Sequence, residues 1–206
     1  MGPNHIARPF AAAALVVAIV APAVAGPPLV CVPFDIGTVP SPPWDAQGNT
    51  WNGMRGEYPM AQLTGDTLAL LTPVTPVIVR MEPQRRAALY ATKNPEIAAA
   101  LLTTLTDRAA NGAGALALFD AGYLAATYKQ LGPISPATSA LADGIDGYAM
   151  VKKSLQMRAD DPAIEFAAAI MTRDGREAVS AEHARVARAG AQADRLLARN
   201  IGQLER

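Results

Sequence analysis

The sequence predicts an all-α protein of stacked antiparallel helical hairpins, preceded by an extended Pro/Gly-rich segment. Three observations lead there. Alanine and leucine supply much of the apolar content while aromatic residues are sparse, a composition that favours closely packed helices. Apolar residues recur at helical spacing through most of the chain after residue 60. Asn-Pro, Asp-Pro and Gly signals then cut that periodicity into helix-length pieces.

Residues 1–25 read as a secretory signal peptide. A short basic region ends at Arg8, an uncharged apolar run covers 10–20, and Ala23 and Ala25 stand where a signal peptidase requires small residues. Cleavage is expected before Gly26, which places the mature chain in the periplasm or outside the cell. The apolar run is too short for the roughly 20 residues that span a bilayer, so no membrane insertion is expected after cleavage. Acidic and basic residues number 18 each, which leaves no net field to attract nucleic acid or an anionic membrane.

Residues 26–59 form the Pro/Gly-rich segment. Its prolines at 27, 28, 33, 40, 42 and 43 oppose a regular helix. Val30, Phe34, Ile36, Trp44 and Trp51 make it too apolar for a plain linker, so it is expected to lie against the helices. Cys31 is the only cysteine. It forms no internal disulfide and is either buried and inert or available for linkage to a partner thiol.

Residues 60–206 carry the helical domain. A short helix over 60–71 ends at Thr72-Pro73. Thr75 and Pro76 read as a cap and a first-position proline, and the following helix runs through Tyr90, kinked or restarted at Pro83. Asn94-Pro95 opens the next, with Ile97, Leu101, Leu102 and Leu105 on one face, and Asn111-Gly112 closes it. A helix over about 114–131 carries Leu116, Phe119, Tyr123 and Leu124 as a stripe and stops at Gly132-Pro133. After a polar loop, helices are expected over about 145–158 and 162–171, the second capped by Asp161-Pro162. A final stretch begins at Ser180 and is interrupted near Gly190.

Residues 115–131 (ALALFDAGYLAATYKQL) resemble the first helix of a tetratricopeptide-type repeat, with Gly122 and Tyr123 where small and large side chains interlock. Residues 148–162 (YAMVKKSLQMRADDP) resemble the second helix with its closing Asp-Asp-Pro, 164–171 the next first helix, and 86–110 an earlier unit. The loop 132–144 exceeds the 34-residue period of that family. The stretch 27–37 (PPLVCVPFDIG) is similar to the start of uncharacterised bacterial exported helical proteins. The repeat resemblance implies a concave surface for peptides or helices of other proteins.

Metal ligands are scarce: beyond the leader, His183 and Cys31 are the only imidazole and thiol, and zinc sites take three or four such groups. No metal or cofactor is expected. Gly-x-Ser-x-Gly and phosphate-cradling loops are absent. The leading expectation is therefore an exported protein-binding or scaffold module whose groove is lined by Arg80, Arg86, Tyr90, Asp120, Tyr123, Tyr128 and Lys129. The aromatic members are equally good core candidates. The second reading is an exported hydrolase that uses carboxylates such as Glu82 or Asp120 on an envelope polymer. Against it, an acid near Arg80, Arg85 and Arg86 more commonly fixes how elements dock.

Overall fold

Side-chain caps stand at the start of half of the ten α-helices among the described residues. Asn94, Ser135, Asp146, Asp161 and Asp194 each accept a hydrogen bond from the first turn of the helix that follows, a contribution of about 1 kcal/mol apiece. The computed structural model describes residues 1–2, 27–45, 52–112, 114–159 and 161–205. Of the expected signal peptide only Met1 and Gly2 are among these, and Trp51 also lies outside them.

In chain order the helices are α1 (Pro28–Cys31), α2 (Leu63–Leu70), α3 (Val77–Ala91), α4 (Pro95–Ala110), α5 (Ala115–Gln130), α6 (Pro136–Ala140), α7 (Gly147–Met157), α8 (Pro162–Thr172), α9 (Glu177–Gly190) and α10 (Arg195–Asn200). One 3₁₀ turn, Met60–Gln62, leads into α2, and another, Ile201–Glu205, follows α10. Among the described residues there is no strand, only an isolated bridge between Trp44 and Met54. None of these helices is long and apolar enough to cross a membrane.

Four local expectations change. Pro28 sits at the first position of α1, where its missing N–H costs nothing, so the proline-rich segment still makes one helical turn. The 132–144 loop contains α6, which is too short to show periodicity. Pro76 is the residue before α3 rather than its first helical residue, and Thr75 Oγ1 instead donates to the Leu70 carbonyl at 2.9 Å. Helix α3 does not restart at Pro83. Side chains on both sides of that proline are anchored to other elements, which keeps the two halves in one helix.

Apolar burial divides into two clusters that share α3 and α5. One gathers Leu63, Leu89, Leu101, Leu105, Leu124 and Tyr128, and the other Leu29, Phe34, Ile78, Phe119, Ile164 and Phe166. Helix α5 touches α1, α3, α4, α6, α7 and α8. Its contact with α7 is a backbone approach: a Cβ on Gly122 would stand 2.5 Å from the Gly147 carbonyl oxygen, and one on Gly147 only 2.4 Å from that of Gly122.

The N-terminal segment packs on the helices as its apolar residues predict. Leu29, Val30, Phe34 and Ile36 are buried, and Phe34 meets Phe166 edge to face at 6.2 Å. The C-terminal end holds the segment from the other side. Asn200 Oδ1 accepts from the Asp35 N–H at 2.8 Å while its Nδ2 donates to the Asp35 carbonyl at 2.9 Å. Gln203 Nε2 donates to the Pro33 carbonyl at 3.1 Å.

Candidate functional site

Helix α3 carries a run of polar side chains between its two apolar ends. Glu82 is fully buried and its two oxygens are shared among four donors: the Phe34 N–H at 3.0 Å, Arg85 Nε at 2.7 Å, Arg85 Nη2 at 2.7 Å and Arg86 Nε at 2.6 Å. Spacings of three and four residues along one helix put both guanidinium groups on its carboxylate. Those arginines reach onward, Arg85 Nη1 to the Val30 carbonyl at 3.0 Å and Arg86 Nη1 to the Pro42 carbonyl at 2.9 Å. Both also lie over the Trp44 ring, at 5.1 and 5.8 Å from its centroid. A turn later, Tyr90 donates to the Pro43 carbonyl at 2.5 Å and accepts from the Arg55 N–H at 2.9 Å.

Arg86 and Tyr90 therefore dock the N-terminal segment, and Tyr90 also borders a cavity of about 510 Å³ with Met54, Arg55, Tyr58 and Lys93. The segment occupies the face of α3 on which these residues were expected to be accessible. Tyr123 and Tyr128 are core residues: Tyr123 stacks on Phe119 at 5.5 Å, and Tyr128 donates to the Ala98 carbonyl at 3.1 Å. Lys129 is exposed and donates to the Ile145 carbonyl at 2.6 Å. Cys31 is half-buried, and burial raises its thiol pKa against the opposing charge of Arg85.

Arg80 and Asp120 do come together at an opening to solvent. Arg80 Nη1 meets Asp120 Oδ2 at 2.7 Å, and Gln84 Nε2 donates to the other carboxylate oxygen at 3.1 Å. Arg80 also donates through Nε to the Thr75 carbonyl at 3.0 Å and through Nη2 to that of Thr72. Beside this pair lies a cavity of about 210 Å³, walled by Leu71, Pro73 and Leu116 and bordered by Arg108 and Arg158. The first residues of α5 complete the wall. That helix begins at Gly114 with no side-chain cap, so the positive end of its dipole adds to the arginines.

Three guanidinium groups thus surround one carboxylate. Arg108 has no hydrogen-bond or ion-pair partner among the described residues, and Arg158 pairs with Asp161 at 2.9 Å at the exposed rim. Burial raises the Asp120 carboxyl pKa to about 7, opposed by Arg80, Arg108 and the Gln84 hydrogen bond. The same burial lowers Arg80, as desolvation does to both members of an interior pair.

A second polar constellation joins His183 to two residues that the sequence does not single out. Tyr148 on α7, His183 on α9 and Glu165 on α8 form a hydrogen-bonded chain: Tyr148 Oη lies 2.9 Å from His183 Nε2, and His183 Nδ1 bonds Glu165 Oε2. Tyr148 opens onto a cleft of about 320 Å³ that also contains Lys129, Gln130, Asp146 and Arg176. The three residues come from different helices at sequence separations of 18 and 35, so no local spacing announces them. The available signal was that His183 is the only imidazole outside the leader.

Among the described residues no group of His, Cys, Asp and Glu is arranged to hold a metal ion. Comparison of the chain with protein-family models, with curated proteins and with solved structures returned no match.

Proposed function

We propose that this chain is an exported binding module, a tetratricopeptide-like stack of helical hairpins that captures an acidic group of a partner protein or peptide in the cavity at the start of α5. The carrying observation is the set of three arginines, Arg80, Arg108 and Arg158, around a cavity whose lining includes one carboxylate, Asp120. Arg80 pairs with Asp120 and Arg158 with Asp161, which leaves Arg108 as the lining arginine without a carboxylate partner among the described residues, and guanidinium forks match carboxylate geometry. The size also bears on the occupant. About 210 Å³ falls below the roughly 300–1,000 Å³ typical of sites for whole small molecules. It suits one carboxylate with a short apolar side chain against Leu71, Pro73 and Leu116, as at a peptide C-terminus. The leader-like 1–25 stretch supports export, and the packing of α4 on α5 and of α8 on α9 supports helical pairing.

The hydrolase reading finds its best support at Asp120, whose raised pKa suits an acid catalyst. Glu82 is a poor candidate, since both its oxygens are engaged and none of the residue is exposed.

The test compares N-acetyl-leucine with N-acetyl-leucinamide as probes of the full chain, read by thermal shift and titration calorimetry. The acid should bind and raise Tm while the amide does not, and Arg108→Gln should remove the difference. Equal responses to acid and amide, or an undiminished response in Arg108→Gln, would refute the assignment.

A further inference from the structure

We infer that Tyr148 is a catalytic nucleophile for acyl transfer from carboxylic esters, with His183 as its general base and Glu165 as the residue that positions the imidazole. This rests on a different part of the molecule from the arginine-lined cavity and stands or falls separately.

The argument begins with the direction of each hydrogen bond. An ionised Glu165 can only accept, so His183 Nδ1 carries the proton that it donates. In the neutral imidazole Nε2 is then an acceptor, and it faces Tyr148 Oη at 2.9 Å. That is the order of nucleophile, base and orienting carboxylate by which weakly acidic hydroxyl groups are activated. Glu165 is 7 % exposed, which shields its bond to the imidazole from competition by water. Tyr148, in contrast, borders the cleft. Arg176 holds its guanidinium 5.2 Å from the centre of the Tyr148 ring, a cation over the face of the ring.

A simple clamp between helices would account for the hydrogen bonds. It would not account for the outermost member being half-buried at a cleft whose walls carry four charged residues, Arg176, Lys129, Asp146 and Asp174. Burial raises the Tyr148 pKa and Arg176 opposes it, so at neutral pH the hydroxyl holds its proton and needs a base in order to attack.

In the reaction Tyr148 Oη forms a bond to the ester carbonyl carbon as its proton passes to His183 Nε2. The bond from that carbon to the alcohol oxygen breaks, and the departing oxygen takes the proton from the imidazolium. Water, deprotonated by His183, then cleaves the tyrosyl ester, releases the carboxylic acid and restores the phenol.

The test treats the full chain with p-nitrophenyl acetate, follows release of p-nitrophenolate, and locates acetyl groups by peptide mapping. Tyr58 is the internal control: its hydroxyl donates to Asp66 at 2.6 Å and has no imidazole partner. Tyr148 should be acetylated roughly 100-fold faster than Tyr58, and His183→Gln should lower the Tyr148 rate by a similar factor, the usual contribution of a general base. Tyr148→Phe should remove the stoichiometric burst.

Glu165→Gln leaves an acceptor for Nδ1 but removes the charge. With the charge that orients the imidazole gone, acetylation of Tyr148 should be slower while that of Tyr58 is unchanged. Arg176, Asp146, Glu182 and Arg185, the other charged groups near this chain, are unchanged in that variant. Labelling of Tyr148 no faster than Tyr58 in the wild-type protein overturns the inference whether or not the variants fold. So does a ratio of Tyr148 to Tyr58 labelling that is the same with and without the Glu165 charge.

Discussion

Replacing Glu82 by glutamine tests how the N-terminal segment is held. The substitution keeps the size of the side chain and one acceptor oxygen. It removes the charge that two guanidinium groups share, one of them, Arg85, fully buried and the other, Arg86, 22 % exposed. Breaking a buried pair by neutralising one partner costs about 3–5 kcal/mol, because the other charge stays desolvated. Arg85 has no route to water, whereas Arg86 can turn outward and recover hydration. The expected loss is therefore about 3–4 kcal/mol in urea denaturation, within the 5–15 kcal/mol typical of a folded domain. Arg86→Ala, which removes only the more exposed member, should cost about 1 kcal/mol. The loss in Glu82→Gln should be accompanied by a change in Trp44 fluorescence, since Arg85 and Arg86 lie over that ring. A Glu82→Gln protein within about 1 kcal/mol of wild type, a margin set by one ordinary hydrogen bond, would show that the carboxylate is not what docks the segment.

Glycine packing, a buried carboxyl and the lone thiol give further expected outcomes. Gly122→Ala should destabilise the chain by about 1–3 kcal/mol despite a helix-propensity gain of about 1 kcal/mol, because its Cβ would meet the Gly147 carbonyl at 2.5 Å. An increase in urea midpoint would mean that α5 and α7 can move apart freely. Asp120, whose folded pKa is raised to about 7, contributes stability that is complete below its unfolded value of about 3.9 and is lost as pH rises through about 7. Wild-type stability should fall across that window, and Asp120→Asn should flatten the dependence. Affinity for N-acetyl-leucine should rise as pH falls through the same range. Cys31 should react with iodoacetamide roughly tenfold more slowly in the native than in the urea-unfolded chain, since burial raises its pKa and the thiolate is the reacting form. Equal rates would favour an accessible thiol suited to linkage with a partner.

Helix positions were legible because their signals are local. Asn94 and Asp161 each bond the N–H groups two and three residues on, and the proline after each is visible in the sequence. Gly122 was legible as a small residue that admits a neighbouring helix, although its partner was not. The polar residues of α3 were harder. Arg80, Arg85 and Arg86 all stand within four residues of Glu82, and only the rotation of the helix decides that Arg85 and Arg86 pair with it while Arg80 turns to Asp120. Arg86 and Tyr90 were expected in a groove because the segment that covers them has no periodicity to reveal where it lies. Tyr148, His183 and Glu165 meet solely through the packing of α7, α8 and α9, a tertiary fact that spacing along the chain does not encode.

The bonds from Asn200 and Gln203 to Asp35 and Pro33 join residues 165 and 170 positions apart. A chain that emerges from a ribosome or a translocation channel N-terminus first presents Leu29, Phe34 and Ile36 long before those C-terminal amides exist to secure them. Closure of such distant contacts is slow. The bonds from α3, Glu82 to the Phe34 N–H, Arg85 to the Val30 carbonyl and Arg86 to the Pro42 carbonyl, join residues far closer in sequence, so the segment gains its hold on α3 before Asn200 and Gln203 can add theirs.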